Sequence, residues 1–268
     1  MTDLGSVDRD VVRVKRAGRS REPDRLAVEE PCEIRLEGDS VAVVMRTPGH
    51  DRELAAGFLY TETIVKPGDI GTISACTDDD ALNPENIVEV GLVPGVGPLT
   101  LPQRNFYATS SCGVCGKASI EAIHVADARL RDATRFKAEV VTGAVPALRA
   151  AQTTFEATGG IHAAGLLTPD GELLVVREDV GRHNAVDKVI GWAYLRELLP
   201  LGGHMLVVSG RQSFEVVQKA LVAGIPLLAG VSAASSLAVD LAADSGMTLI
   251  GFVRGESFVV YAGDERVI

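Results

Sequence analysis

The segment of this sequence best equipped for chemistry is Cys112-Gly113-Val114-Cys115, set between Ser110-Ser111 and Gly116-Lys117. Two cysteines at this spacing serve several chemistries. A structural zinc site needs four ligands. Here Cys32 and Cys76 stand alone, and the histidines at 50, 124, 162, 183 and 204 show no paired ligand spacing. A dithiol couple of the thioredoxin type fits the outline, but in that fold the pair sits near the N-terminus, just after a strand. A nucleophilic thiolate is the third reading. A helix is expected from Lys117, and a helix N-terminus with a nearby cation lowers a thiol pKa. Small neighbours keep the sulfur accessible. A sulfur carrier needs those properties to attack a donor persulfide and present the terminal sulfur to an acceptor. An inert pair in a turn is the plainest alternative.

Four polar loops in the second half supply further candidates. The first runs from Arg177 through Gly181, Arg182, His183 and Asn184 to Asp187 and Lys188. With a helix starting near Arg182, His183 and Asp187 share a face at i, i+4, and Asn184 and Lys188 share the adjacent one. Val186, Val189, Ile190 and Ala193 then point to the core. Such a cluster at a helix start suits a phosphate or a polar heterocycle; the plainer reading is a capped helix with a solvated face. The second loop is Ser209-Gly210-Arg211-Gln212-Ser213, where glycine allows close backbone approach and arginine can pair with phosphate. The third is Val231-Ser232-Ala233-Ala234-Ser235-Ser236, and the last is Phe252-Val253-Arg254-Gly255-Glu256-Ser257. In open α/β sheets ligands bind beyond the carboxyl ends of strands. If the loops converge there, Arg182, Lys188, Arg211 and Arg254 face one locally positive crevice, and a large phosphate-bearing anion is the expected occupant.

The elements that would position these groups follow from pattern. Residues 1–24 are polar and rich in Arg and Asp, and read as a flexible arm with an edge strand at Val11–Val14. Cys32–Leu36 and Val41–Met45 flank Glu37-Gly38-Asp39 as a hairpin. Asp51 is placed to cap a helix whose apolar face holds Leu54, Phe58 and Leu59. Strands are expected over 86–93 and 100–107, and a helix over 117–133. We divide the chain into the arm 1–24, a β-rich lobe 25–135 that ends in the cysteine loop and helix, and an α/β cofactor-binding domain 136–268. In the last, helices are expected at 146–157, 183–198, 213–223 and 233–244. They alternate with strands at 162–167, 172–177, 205–208, 226–230, 248–253 and 257–261, giving an α/β layer with a mostly parallel sheet.

Composition narrows the classes. Hydrophobic residues make up 46% of 268 while aromatics make up 4%, so the core is aliphatic. A net charge of −10 argues against non-specific nucleic-acid binding. Four cysteines are too few for a small secreted disulfide scaffold. The first twenty residues have no signal-type apolar stretch, and no run approaches the roughly 18 apolar residues of a bilayer span. A reducing cytoplasmic setting is expected. The H-x-E and P-C-x-x-C signature of zinc deaminases is missing, as are a G-x-G-x-x-G fingerprint and a P-loop.

From about Pro31 to Tyr261 the sequence resembles the accessory sulfurtransferases of formate dehydrogenase, the FdhD family. The pieces that carry the resemblance are ELAAGFL, SSCGVCGK, GGIHAAGL, REDVGRHNAVDKVIG, SGRQSFEVVQKA and VSAASSLAV. Where the family shows E-G-I after the GFL helix, this chain has Glu62-Thr63-Ile64. The resemblance implies a cytidine deaminase-like α/β/α sandwich with a mixed sheet and without zinc ligands, plus a smaller β-rich N-terminal lobe. It implies that a cysteine desulfurase loads Cys112 as a persulfide and that Cys115 assists transfer. It names molybdenum bis(molybdopterin guanine dinucleotide) as the bound acceptor, guanine nucleotide as its partial mimic, and the formate dehydrogenase catalytic subunit as the client. It maps a cofactor segment onto Phe252–Ser257 and implies a homodimer. Arg182, His183, Asn184, Asp187, Lys188, Ser209, Gly210 and Arg211 join that segment as candidate cofactor contacts. The rival readings are a cofactor chaperone that never carries sulfur, a dithiol reductase, and a nucleotide-binding regulatory protein.

Overall fold

A computed structural model of the chain describes residues 5–77, 81–97 and 129–268. Strands β1 (Ser6–Lys15) and β2 (Gly18–Ala27) form a two-stranded ribbon. A four-stranded sheet follows from β3 (Glu30–Leu36), β4 (Asp39–Arg46), β5 (Ile70–Ala75) and β6 (Ile87–Leu92), in the order β4-β3-β6-β5, with α1 (Asp51–Thr61) between β4 and β5. The rest is α2 (Ala138–Ala150), α3 (Thr153–Thr158), β7 (His162–Leu167), β8 (Leu173–Asp179), α4 (Arg182–Tyr194), β9 (Met205–Val208), α5 (Phe214–Val222), β10 (Leu227–Gly230), α6 (Ser236–Ser245), β11 (Thr248–Arg254) and β12 (Ser257–Ala262).

The second half builds a six-stranded sheet in the order β12-β11-β10-β9-β7-β8. Only β9, β10 and β11 run parallel to one another; β7, β8 and β12 pair antiparallel. The sheet is therefore mixed rather than mostly parallel, because tight turns instead of helical crossovers join β7 to β8 and β11 to β12. The runs Met205-Leu-Val-Val and Leu227-Leu-Ala-Gly are buried throughout, as strands covered on both faces must be. Met205, Val207, Leu227, Ala229 and Ile250 pack with Val141, Ala144 and Leu148 of α2. Leu206, Val208, Leu228 and Leu249 face the other way, onto residues of α4, α5 and α6. The result is the α/β/α sandwich expected from the resemblance. No helix among the described residues is long and apolar enough to cross a membrane.

The same apolar cluster runs on through α1 to Cys32, Ile34, Leu36, Ile73, Val88 and Val90 of the small sheet. Helices α1 and α4 meet backbone to backbone. A Cβ built on Gly57 would lie 1.8 Å from the Asp187 carbonyl oxygen, and one on Gly191 would lie 1.8 Å from that of Glu53.

Several elements differ from expectation for identifiable reasons. Residues 6–27 are a ribbon, because in register Asp8 faces Arg25 and Arg13 reaches Glu22 and Asp24 across the strands. The helix expected to begin at Pro146 begins at Ala138 and carries Pro146 inside it. Pro146 is exposed on the outer face of the helix, while Val141, Ala144 and Leu148 bind the other face to the sheet, which offsets the hydrogen bond that proline removes. His50, in the left-handed region at φ 60°, occupies the cap position expected of Asp51. Strand β5 has no counterpart in the sequence reading. The part of the 117–133 helix within the described residues, 129–133, is not helical; there Leu130 N–H donates to the Ser245 carbonyl at 2.9 Å. The expected strand 100–107 lies outside the described residues.

Candidate functional site

The carboxyl ends of β9, β10 and β11 gather the loops singled out from sequence. The β9–α5 and β10–α6 loops are zipped together: Gln212 N–H donates to the Ala233 carbonyl (3.2 Å) and Ser235 N–H to that of Gln212 (3.0 Å). Phe252 N–H donates to the Ser232 carbonyl at 3.1 Å, which draws the start of the Phe252–Ser257 hairpin to the same edge. Gln212 is fully buried and crosses the ends of two strands, with Nε2 3.4 Å from the Ile250 carbonyl. It fits because Gly230 and Gly251 lie beneath it; a Cβ on Gly230 would sit 1.9 Å from Nε2. The zipped loops are thus one rigid unit, and the helices that follow them begin at this edge.

The sheet changes winding direction between β7 and β9, and there the edge turns positive. The Ser209 hydroxyl accepts from Ala163 N–H at 2.8 Å, and Ser209 N–H donates to the Ala163 carbonyl at 2.9 Å. This pins the β9–α5 loop to the start of β7, where His162 sits. A Cβ on Gly210 would meet His162 Nδ1 at 3.4 Å and Arg182 Cβ and Cδ at 3.6 Å. Burial pushes the His162 pKa down, and the fields of Arg182 and Arg211 push it further against the opposing pull of Asp179. His162 is therefore a neutral imidazole at pH 7 beside two guanidinium groups. Arg182 Nε is buried without a partner among the described residues. His183 Nε2 lies 3.3 Å from the Ser213 hydroxyl and 3.8 Å from Glu215 Oε2, linking the starts of α4 and α5. At the outer lip Arg254 lies 5.6 Å over the Phe252 ring. Arginines and backbone N–H groups at helix starts are the donors that bind phosphates.

Behind this edge the floor is ionic. Lys188 Nζ binds Asp179 Oδ2 at 2.7 Å and the Thr47 carbonyl at 2.8 Å. Asp179 also accepts from Thr47 N–H (3.2 Å), Gly181 N–H (2.8 Å) and Asn184 Nδ2 (2.9 Å), and Asn184 Nδ2 reaches the Met45 carbonyl (2.7 Å). Asp179 thereby ties the β4–α1 loop to the start of α4. A second cluster joins Lys219 to Asp187 Oδ1 (2.9 Å), Thr61 Oγ1 (2.9 Å) and Glu62 Oε1 (3.3 Å).

The structure thus brings Arg182, His183, Ser209, Gly210 and Arg211 together, with the Phe252–Ser257 hairpin at the same edge. His183, Asn184, Asp187 and Lys188 do not face the crevice as expected. They are at most 4% exposed and hold the frame, because each has found an internal partner. Val253 likewise turns into the core at 1% exposure. Cys112 and Cys115 lie outside the described residues. Sequence reasoning missed His162, Asp179, Thr47, Thr61 and Lys219, and took Gln212 only as part of its loop. The available signal for His162 was a histidine opening a strand two residues after Gly159-Gly160.

Cys32 is a structural thiol. Burial pushes its pKa up to about 12, with Asp51 adding and Arg46 and Lys188 opposing. Alkylation of the native protein at neutral pH is expected to leave Cys32 unlabelled until denaturant is added. Peptide mass mapping that finds it labelled in the native state would remove the argument.

The family model for the FdhD/NarQ family matches residues 27–268. This chain belongs to that family. It is 51% identical over 267 residues to the sulfur carrier protein FdhD of Streptomyces avermitilis, covering 97% of this chain and 94% of that one. It is 41% identical to the sulfur carrier protein FdhD of Saccharolobus solfataricus over 261 residues, 96% of each chain. A crystal structure from Desulfotalea psychrophila, provisionally described as a formate dehydrogenase accessory protein, superposes with a TM-score of 0.78. It shares 25% identity, over 98% of this chain and 99% of that one. The family motifs REDVGRHNAVDKVIG and SGRQSFEVVQKA supply the two loops that meet at Gly210, Arg182 and His183.

Proposed function

We propose that this chain is a sulfurtransferase that takes a sulfane sulfur onto Cys112 and delivers it to molybdenum bis(molybdopterin guanine dinucleotide) held at the positive strand edge, so that formate dehydrogenase becomes active. The observation that carries the reading is the meeting of Arg182, Arg211 and His162 at one rigid edge of a chain whose curated relatives are sulfur carriers. The donor is a cysteine desulfurase persulfide. The Cys112 thiolate attacks its terminal sulfur, a new S–S bond forms, and the desulfurase cysteine leaves as a thiolate. The Cys115 thiolate then attacks the inner sulfur of the Cys112 persulfide, so that a Cys112–Cys115 disulfide forms and the outer sulfur leaves as sulfide for the acceptor; cellular thiol reductants restore the pair. The acceptor is a large anion whose guanine dinucleotide arms bear phosphates. Arg182 and Arg211 are the cations for those phosphates, and Phe252–Ser257, with Arg254, forms the outer lip. Asn184, Asp187 and Lys188 contribute by fixing the start of α4 beneath them. Guanine nucleotide alone mimics part of the acceptor. The reaction belongs to the reducing cytoplasm, and the formate dehydrogenase catalytic subunit is the client.

The test is intact-protein mass after incubation with a cysteine desulfurase and free cysteine. Wild type should gain one sulfur that reductant removes, Cys115→Ala should still gain it, and Cys112→Ala should not. If no variant gains sulfur while the acceptor still binds, the sulfurtransferase reading fails and a cofactor chaperone takes its place.

A further inference from the structure

Beneath the strand edge Asp179, Asn184 and Lys188 all have internal partners, but His162 at the rim has none. Its ring is half-buried, and neither nitrogen has a hydrogen-bond partner among the described residues. Arg182 repeats the pattern, with Nε buried and unpartnered. The two side chains flank one spot. The point where a Cβ on Gly210 would lie is 3.4 Å from His162 Nδ1 and 3.6 Å from Arg182 Cδ, and glycine leaves it open. The backbone N–H groups of Gly210 and Arg211 also donate to no group among the described residues. An imidazole, a guanidinium and two successive amides around one opening are a donor set for phosphate oxygens.

The charges that face this imidazole come from three elements. Asp179 on β8 is its partner in the β7–β8 register. That carboxylate is already engaged by Lys188, Asn184 and the N–H groups of Thr47 and Gly181. Glu178 on the same strand accepts from Thr154 and Phe155 N–H at 2.8 Å each. From α4 comes Arg182, while His183 beside it turns to Ser213 and Glu215. From the β9–α5 loop comes Arg211. Burial, and then the two guanidinium groups, keep the ring neutral in the free protein. A phosphate set among them reverses the balance, because its negative charge offsets the arginines and favours the imidazolium.

We propose that His162 is a proton-linked phosphate ligand: a pyrophosphate diester docking against Arg182, Arg211 and Gly210 draws one proton from solvent onto the imidazole, which then donates to a phosphate oxygen. The bond formed is a ring N–H. Its proton comes from the buffer acid, whose conjugate base stays in solution, and no electron moves. The third positive charge is thus present only with the anion. Binding that takes up a proton tightens as pH falls and loosens as pH rises, by at most about tenfold per pH unit. The inference rests on the reading of this edge as the site of a phosphate-bearing acceptor.

The probe is guanosine diphosphate mannose. Both of its phosphates are esterified and keep a fixed charge near neutral pH, so a proton taken up goes to the protein. Isothermal titration calorimetry on the full chain at pH 7, in two buffers of different ionisation enthalpy, counts that proton. Wild type should take up most of one proton, and its affinity should rise about 5-fold or more from pH 8 to pH 6.5. His162→Gln should bind without uptake and with an affinity that is flat over that range. Carbon-13 labelling of the histidine rings gives a second reading on wild type alone. One of the five histidine signals should move from the neutral to the charged position when the probe binds at pH 7. Binding without proton uptake, uptake that persists in His162→Gln, or five unmoved signals would each overturn the proposal and leave the phosphate site standing. A wild type that does not bind the probe would remove both.

Discussion

Replacing Gly57 with alanine is expected to cost about 3 kcal/mol or more and to lower Tm by roughly 10 °C, although alanine is the better helix former. The added Cβ would lie 1.8 Å from the Asp187 carbonyl oxygen and 2.9 Å from Gly191 N. Both obstacles are backbone, so no side chain can turn aside, and relief requires α1 and α4 to move apart. Those helices link the small sheet to the large one, and their separation opens the apolar cluster that both share. Gly191→Ala should behave alike, because its Cβ would lie 1.8 Å from the Glu53 carbonyl oxygen. Gly143→Ala is the matched control. Gly143 is also helical, but nothing lies within 4 Å of its Cβ position, so alanine there should stabilise by about 0.5–1 kcal/mol. Thermal melts of the three variants decide the matter. Equal small effects at all three positions would mean that the helix crossing is not close enough to forbid a methyl group.

The fold was legible wherever burial is two-sided. The runs at β7 and β9 are continuous and apolar, and their limits agree with expectation at 162–167 and 205–208. Strand direction was less legible, since a buried strand looks the same whether its neighbour runs parallel or antiparallel; only the short links after Leu167 and Arg254 announce the antiparallel pairs. The ribbon reads from sequence as a flexible arm with one edge strand because its stability comes from cross-strand pairs such as Asp8 with Arg25, which periodicity within one strand does not reveal. Pro146 misplaced a helix start, because an exposed proline can be carried when the opposite face is well bound.

The candidate site was legible in its loops and illegible in its floor. Arg182, Gly210 and Arg211 announce themselves by residue type beside expected strand ends. Asn184, Asp187 and Lys188 announce themselves in the same way, yet they point inward. Their partners Asp179, Thr47, Met45, Thr61 and Lys219 lie up to 141 residues away in sequence, as in the Lys188 to Thr47 bond. A polar residue on a helix reads as solvent-facing until its buried partner is known. Gln212 shows the reverse: it looks like a surface loop residue, and its burial depends on two distant glycines that leave it room.

The Lys219–Asp187 pair carries the second large expectation. Lys219→Met should cost about 3–5 kcal/mol near pH 8, because it leaves the Asp187 carboxylate buried with only the Thr61 hydroxyl in support. The sign of the pH dependence follows from the pair. Burial pushes the Asp187 pKa from 3.8 up to about 6, although Lys219 and Thr61 pull it down. Burial also works against the Lys219 ammonium, but Asp187 and Glu62 outweigh it and raise that pKa. A carboxyl raised in the folded state binds its proton more tightly there than in the unfolded chain. Its charge therefore opposes folding above about pH 6, and that opposition fades as pH falls through the window from about 6 to about 4. Removing Lys219 deletes the strongest opposing pull, so the window moves upward and the deficit of the variant should shrink between pH 8 and pH 5. Adding Asp187→Leu to Lys219→Met should recover most of the loss at pH 8, since an apolar pair of similar volume leaves no charge stranded. Melts at both pH values check this. A deficit independent of pH, with no recovery in the double variant, would assign the loss to packing of the lysine stem. The consequence reaches the candidate site, because α1, α4 and α5 converge on this pair, and at the crevice α4 begins with Arg182 and α5 follows its cap residue Ser213.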